Sequence, residues 1–143
     1  MSSLWTEFLF YGRLPCHNGK KMIGSMKGEL LESVLDENDE VVAWNKHESR
    51  VFKRPTAVLG RNVRDCHPRK SLDKVEAIIG EMRQGKRETA RFWIDTHADG
   101  GTRKIMIEYR ALRGKDSKYL GCLEATQDIT EIQALKGEKR LLD

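Results

Sequence analysis

From Lys104 to Ala111 the chain alternates: Ile105, Ile107, Tyr109 and Ala111 share one face, and Lys104, Met106, Glu108 and Arg110 the other. A period of two is the signature of a β-strand with one face turned inward. The strand lies between two turn signals, Asp99-Gly100-Gly101 and Lys115-Asp116-Ser117-Lys118. Turns this short join antiparallel neighbours, because a parallel connection needs about a dozen residues or more. Upstream, Glu88 to Asp95 puts Ala90, Phe92 and Ile94 on one face, and downstream Tyr119 to Asp128 reads as a further strand that includes Leu123. Three successive antiparallel strands therefore anchor whatever this chain folds into.

An apolar sheet face needs a cover, and Ser71 to Met82 supplies it. Leu72, Val75, Ile79 and Met82 recur at helical spacing, and Ile78 widens the stripe. Ser71 is the expected N-cap and Gly85 the expected stop. Nearer the N-terminus, Leu30, Leu31, Val34 and Leu35 precede the polar turn Asp36-Glu37-Asn38-Asp39, and Glu40 to Asn45 follows as a strand. That pattern predicts a hairpin. Lys46 to Gly60 is cut by Pro55, so short helical turns are expected there rather than one helix. Ile129 to Leu142, with Ile129, Ile132 and Leu135 at apolar positions, is expected to close the chain as a helix. The expected class is α+β, an antiparallel sheet with helices on one face. Residues 1–28 read as an N-terminal extension, 29–128 as the domain, and 129–143 as a C-terminal helix.

The 143 residues match one average domain. No apolar run approaches the roughly 18–20 residues that span a bilayer. Met1 to Phe10 carries Glu7 and lacks the basic start and long apolar stretch of a signal peptide, so the expected location is the cytoplasm. Three widely spaced cysteines, Cys16, Cys66 and Cys122, imply no disulfide framework. Seven Lys or Arg fall between Arg50 and Lys70 against one acid, Asp65. A solvated basic face explains this more simply than a nucleic-acid site. No GxxxxGK[ST], GxGxxG or HExxH occurs, and no catalytic Cys/His arrangement with an oxyanion donor can be named, so no enzymatic activity is expected.

Four local features, in this order, resemble a PAS domain. They are Val41-Val42-Ala43-Trp44-Asn45, then Val58-Leu59-Gly60-Arg61-Asn62-Val63 leading into His67-Pro68, the Asp99-Gly100 turn, and Gln127-Asp128-Ile129-Thr130-Glu131. The last is similar to the ending with which many PAS modules leave the sheet for a signalling helix. Cys66-His67-Pro68-Arg69-Lys70-Ser71 further resembles PAS modules found beside hemerythrin-like domains. The resemblance implies a five-stranded antiparallel sheet and a cavity between sheet and helices. That cavity would be lined by Val75, Ile79, Phe92, Ile94, Ile105, Ile107, Tyr109 and Leu123.

Cofactors are less determined. The position at which haem-containing PAS sensors carry their axial histidine is Val75 here, and Asn62-Val63-Arg64 lacks the reactive cysteine of the flavin light sensors. Flavin is therefore not expected. His67 and its neighbour Cys66 are the candidate metal or haem ligands, since imidazole and thiolate both bind iron and zinc. The resemblance implies a sensory module that binds a small molecule or a signalling protein. A homodimer is expected from the apolar edge of Ile129, Ile132 and Leu135 and from the apolar N-terminal extension, since both need a surface to cover. Neither membrane nor nucleic acid is expected as partner. The alternative is a constitutive dimerisation scaffold with a filled core.

Overall fold

The computed structural model describes residues 30–44, 55–98 and 100–141. The expected N-terminal extension, the Asn45–Arg54 stretch and Asp99 lie outside the described residues.

Five strands form one antiparallel sheet in the order β2-β1-β5-β4-β3. They are β1 (Leu30–Asp36), β2 (Val41–Trp44), β3 (Thr89–Ala98), β4 (Gly101–Arg113) and β5 (Tyr119–Asp128). β1 and β2 are joined by a turn that Asp36 organises: its Oδ1 accepts from Asn38 N at 2.9 Å and Glu40 N at 3.0 Å. Asp39 sits there at φ +65°, a left-handed conformation that short polar side chains tolerate. β3 and β4 pair from Thr89↔Arg110 to Ala98↔Gly101, the antiparallel neighbours that the sequence pattern requires.

Helix α1 (Arg69–Arg83) buries Val75, Ile79 and Met82 against the sheet. It begins two residues before the expected Ser71 cap, with Pro68 as N-cap. Proline offers no side-chain acceptor, and the Pro68 carbonyl takes the Ser71 amide at 2.9 Å. Ser71 also donates its hydroxyl back to Pro68 O at 2.9 Å. The stop is at Gly85 as expected, at φ +73°. Gly85 N donates to Met82 O and Lys86 N to Glu81 O, the paired bonds that close a helix end through a left-handed glycine.

Two short 3₁₀ turns, Thr56–Val58 and Val63–Cys66, connect β2 to α1. They clasp the free edge of β2 through Val41 N→Arg61 O, Gly60 N→Val41 O and Val63 N→Asp39 O. One cluster of buried residues then runs from Leu35, Val41 and Trp44 through Val63, Val75, Ile79 and Met82 to Ile105, Ile107, Tyr109, Tyr119 and Cys122.

Two expectations are corrected. The helix expected over Ile129 to Leu142 is not present as far as Leu141: among the described residues after β5 there is one 3₁₀ turn, Ile132–Ala134. Ile132, Leu135 and Leu141 are exposed, so an apolar stripe has nothing to pack on, and Gly137 at φ +65° interrupts helical backbone. A helix this short gains most of its stability from packing. The second correction concerns β5. Leu123 pairs with Val34 and Arg110, on the face away from α1. The ladder shifts register between Leu112 and Arg113, where Leu112 pairs with Gly121 and Arg113 with Tyr119. That shift brings both Tyr119 and Cys122 to the covered face, and Cys122, Glu124 and Thr126 continue along it.

Candidate functional site

His67 follows the second 3₁₀ turn, whose start is fixed by Asn62 Oδ1 accepting from Arg64 N at 3.1 Å. Its Nδ1 lies 2.9 Å from Val63 O, and its Nε2 lies 3.2 Å from the Tyr109 hydroxyl. A carbonyl can only accept, so Nδ1 carries the proton and Nε2 accepts from Tyr109. Tyr109 is buried on β4 and stacks on Phe92 with ring centroids 5.8 Å apart. Both imidazole nitrogens are thus in use, and ligation of iron or zinc through Nε2 would cost the Tyr109 bond. Cys66 is half-buried and packs against the core. Among the described residues no group of three or more His, Cys, Asp or Glu side chains is placed to hold a metal ion.

The covered sheet face is organised in rows. One runs Leu31, Thr126, Ile107, Phe92 across β1, β5, β4 and β3; the next runs Ser33, Glu124, Tyr109, Ala90. Cross-strand neighbours in such rows sit about 5 Å apart. Val75, Ile79, Phe92, Ile105, Ile107 and Tyr109 meet in this region. Ile94 shares their face but is 39% exposed, so the covered face opens on the β3 side. Leu123 is not among them.

Sequence reasoning missed the polar members of the face, Ser33, Glu124 and Thr126, which are buried to 4%, 9% and 2% exposure. The Thr126 hydroxyl is enclosed without a hydrogen-bond partner among the described residues. A buried polar group left unpaired costs about 1–3 kcal/mol, and folded proteins pair nearly all of them. The available signal was the alternation of Cys122, Glu124 and Thr126, hidden because Leu123 and Ala125 look more like an inward set.

Asp39 ties this face to the turn between β1 and β2. Its buried carboxylate accepts from Arg64 at 3.0 Å and from Arg83 at 2.6 Å, and Arg64 also reaches Glu76 on α1 at 2.8 Å. Glu76 and Asp39 raise the Arg64 pKa. Part of the basic charge between Arg50 and Lys70 is therefore spent inside the domain.

Where the chain leaves the sheet, Asp128 Oδ1 accepts from Thr130 N at 2.9 Å and from Thr130 Oγ1 at 2.5 Å. Thr130 Oγ1 in turn accepts from Lys104 N at 2.9 Å, and Ile129 N donates to Lys104 O. These hydrogen bonds from Thr130, with Arg103 nearby, hold the Asp128 carboxyl below its ordinary pKa. The exit of the chain is thereby pinned to the first half of β4.

No helix among the described residues is long and apolar enough to cross a membrane. A search of curated proteins finds no match to the sequence. Solved structures do match. The C-terminal domain of a Streptococcus mutans protein is 27% identical, with a TM-score of 0.66, covering 86% of this chain and 96% of that one. The PAS domain of a Colwellia psychrerythraea protein is 19% identical, with a TM-score of 0.55 over 73% of this chain and 89% of that one. A sensory box sensor histidine kinase from Vibrio cholerae is 15% identical, with a TM-score of 0.54 over 71% and 82%. The sequence model of the PAS domain matches residues 20–130, and with that match this chain belongs to the PAS domain family.

Proposed function

We propose that the domain is a sensory and signal-relay module with no catalysis of its own, working in the cytoplasm as a homodimer. Its ligand is a small molecule seated against the Leu31–Thr126–Ile107–Phe92 row and entering on the side of Ile94. The observation that carries this reading is the Thr126 hydroxyl, enclosed in an apolar row with no partner among the described residues. A ligand atom there would satisfy it, and the neighbouring Ser33–Glu124–Tyr109 row with His67 would orient the rest. Ligand binding would bias the sheet, and the Asp128–Thr130–Lys104 pin would carry that bias to the segment after β5. The match to a sensor histidine kinase supports a signalling role, and the Cys66–Ser71 stretch supports kinship with hemerythrin-associated modules.

Thr126→Val tests this in a thermal-shift screen against small organic molecules. Removing an unpaired hydroxyl at nearly constant volume should leave the apo protein as stable as wild type or more so. The same change should abolish or strongly weaken the response to whichever compounds stabilise the wild type. Equal responses in both proteins would remove Thr126 from the site.

A second reading has its own support. Ile79, Met82, Ile105 and Cys122 are all but fully enclosed, so the space beneath α1 is packed by the protein itself. On that reading the domain is a constitutive interaction scaffold, and no small molecule stabilises it.

A further inference from the structure

At the end of the sheet where α1 stops, a cleft of about 470 Å³ opens between the β1–β2 turn, the last turn of α1 and the β4–β5 turn. Neither His67 nor Thr126 lines it. Arg83, Arg113 and Lys118 do, against the single carboxylate of Glu37. Their charges are unequally available. Arg113 is committed to Glu88 through Nε and to Met82 O through Nη2, both at 2.8 Å. Arg83 uses Nη2 for Asp39 and Glu37 O, and its Nε and Nη1 have no acceptor among the described residues. The Lys118 ammonium has no partner among the described residues.

Tyr119 forms part of the wall. It is 7% exposed, Arg83 lies over its ring at 5.5 Å, and its hydroxyl is enclosed with no hydrogen-bond partner among the described residues. Burial pushes its pKa up to about 12, so it stays a protonated donor at neutral pH. Apart from the Glu37 carboxylate, the uncommitted charged groups on this wall are Lys118 and the outer edge of Arg83, both donors that carry positive charge.

We propose that this cleft is a second binding site, separate from the Thr126 row, and that it takes a phosphate or carboxylate group of a small soluble molecule. Lys118 and the free edge of Arg83 supply charge, and Tyr119 supplies a hydroxyl that an oxyanion can accept from. Two features oppose an anion, and the structure blunts one of them. The carbonyls at the end of α1 point toward this region, but Gly80, Glu81 and Met82 are already capped by Gln84 N, Lys86 N, Gly85 N and Arg113. Glu37 remains, and it is exposed to solvent. A bound anion would bridge the β4–β5 turn to Arg83, and through Asp39 to the β1–β2 turn.

The test is an amide-shift titration of the full chain with inorganic phosphate and then with acetate, at ionic strength matched with sodium chloride. The expected result is a saturable response centred on Gln84, Gly85, Ser117 and Lys118. Whichever of the two ions gives it identifies the group. Lys118→Ala should weaken it by about tenfold, the order of one charge-assisted hydrogen bond. Tyr119→Phe should weaken it without lowering the melting temperature, since the hydroxyl it removes is unpaired. Lys118 is exposed, so its variant still decides the matter if Tyr119→Phe perturbs folding. Linear shifts spread over surface lysines and arginines, a response equal in wild type and Lys118→Ala, or binding of an acidic peptide but of neither ion would overturn the proposal.

Discussion

Gly121 is the residue at which the β5 register is decided. It adopts φ +147°, and a Cβ built there would lie 2.0 Å from the carbonyl oxygen of Leu35 on the neighbouring strand. No side-chain rotation relieves a clash with backbone, so Gly121→Ala must separate β1 from β5 near the Asp36↔Gly121 pair. We expect a loss of several kcal/mol, in the range of the most damaging single substitutions, measured by chemical denaturation. Gly60 makes the useful contrast. It sits at φ +75° with nothing within 4 Å of a Cβ, so Gly60→Ala costs only backbone strain, about 1–2 kcal/mol. Equal losses at the two positions would mean that the close approach at Gly121 is not what fixes the strand pairing. The thiols divide in the same way by environment. Cys122 is fully buried against Met82, with Sγ 3.8 Å from the methionine sulfur, and burial pushes its pKa up to about 12. In native protein at pH 8 Cys122 should therefore be the slower of Cys122 and Cys66 to react with a thiol reagent, and faster labelling of Cys122 would contradict the core assignment.

At the scale of elements, what the sequence revealed depended on how many independent signals agreed. β4 could be read directly, because its alternation and its two flanking turns point to the same strand and the same face. α1 was equally clear in its buried stripe, although its start was hidden by a proline that caps without a side chain. β5 was visible as a strand but not in its facing. The bulge opposite Leu112 and Arg113 changes the parity of Tyr119 relative to Cys122, and its local sign is Gly121, a glycine inside the strand. The Thr126 hydroxyl, on which the candidate site rests, was hidden because Leu123 and Ala125 look more like an inward set than Cys122, Glu124 and Thr126 do. After β5 the apolar spacing of Ile129, Ile132 and Leu135 suggested a helix, but spacing is only half of a helix and the packing partner is missing. What the chain does have there is the Asp128–Thr130–Lys104 pin, and it is sensitive to acid. Hydrogen bonds to the ionised carboxylate depress the Asp128 pKa, so its contribution is complete above the ordinary value of 3.8 and is lost as pH falls through the lower folded value. A carboxyl titration followed by NMR should give a midpoint below 3.8, with Thr130 amide exchange accelerating through it. A midpoint at or above 3.8 would mean that the pin does not persist in solution.

At the scale of the molecule, the covered sheet face is packed under the last turns of α1, where Ile79, Met82 and Cys122 close the core, and partly exposed at Ile94 on β3. Exposed Trp93, Ile132 and Leu135 lie outside the core altogether. An exposed aromatic and an unpacked apolar stripe are the features that a second copy would cover. Sedimentation at tens of micromolar should therefore show a dimer, and a monomer would remove the homodimer from the proposal. The central claim, that a small molecule sits against the Thr126 row, is tested most directly by mass spectrometry of the natively purified protein. The account predicts a mass above that of the polypeptide, lost on denaturation and absent from Thr126→Val. A native mass equal to the polypeptide alone, in a folded protein that no small molecule stabilises, would contradict it and leave the filled-core scaffold.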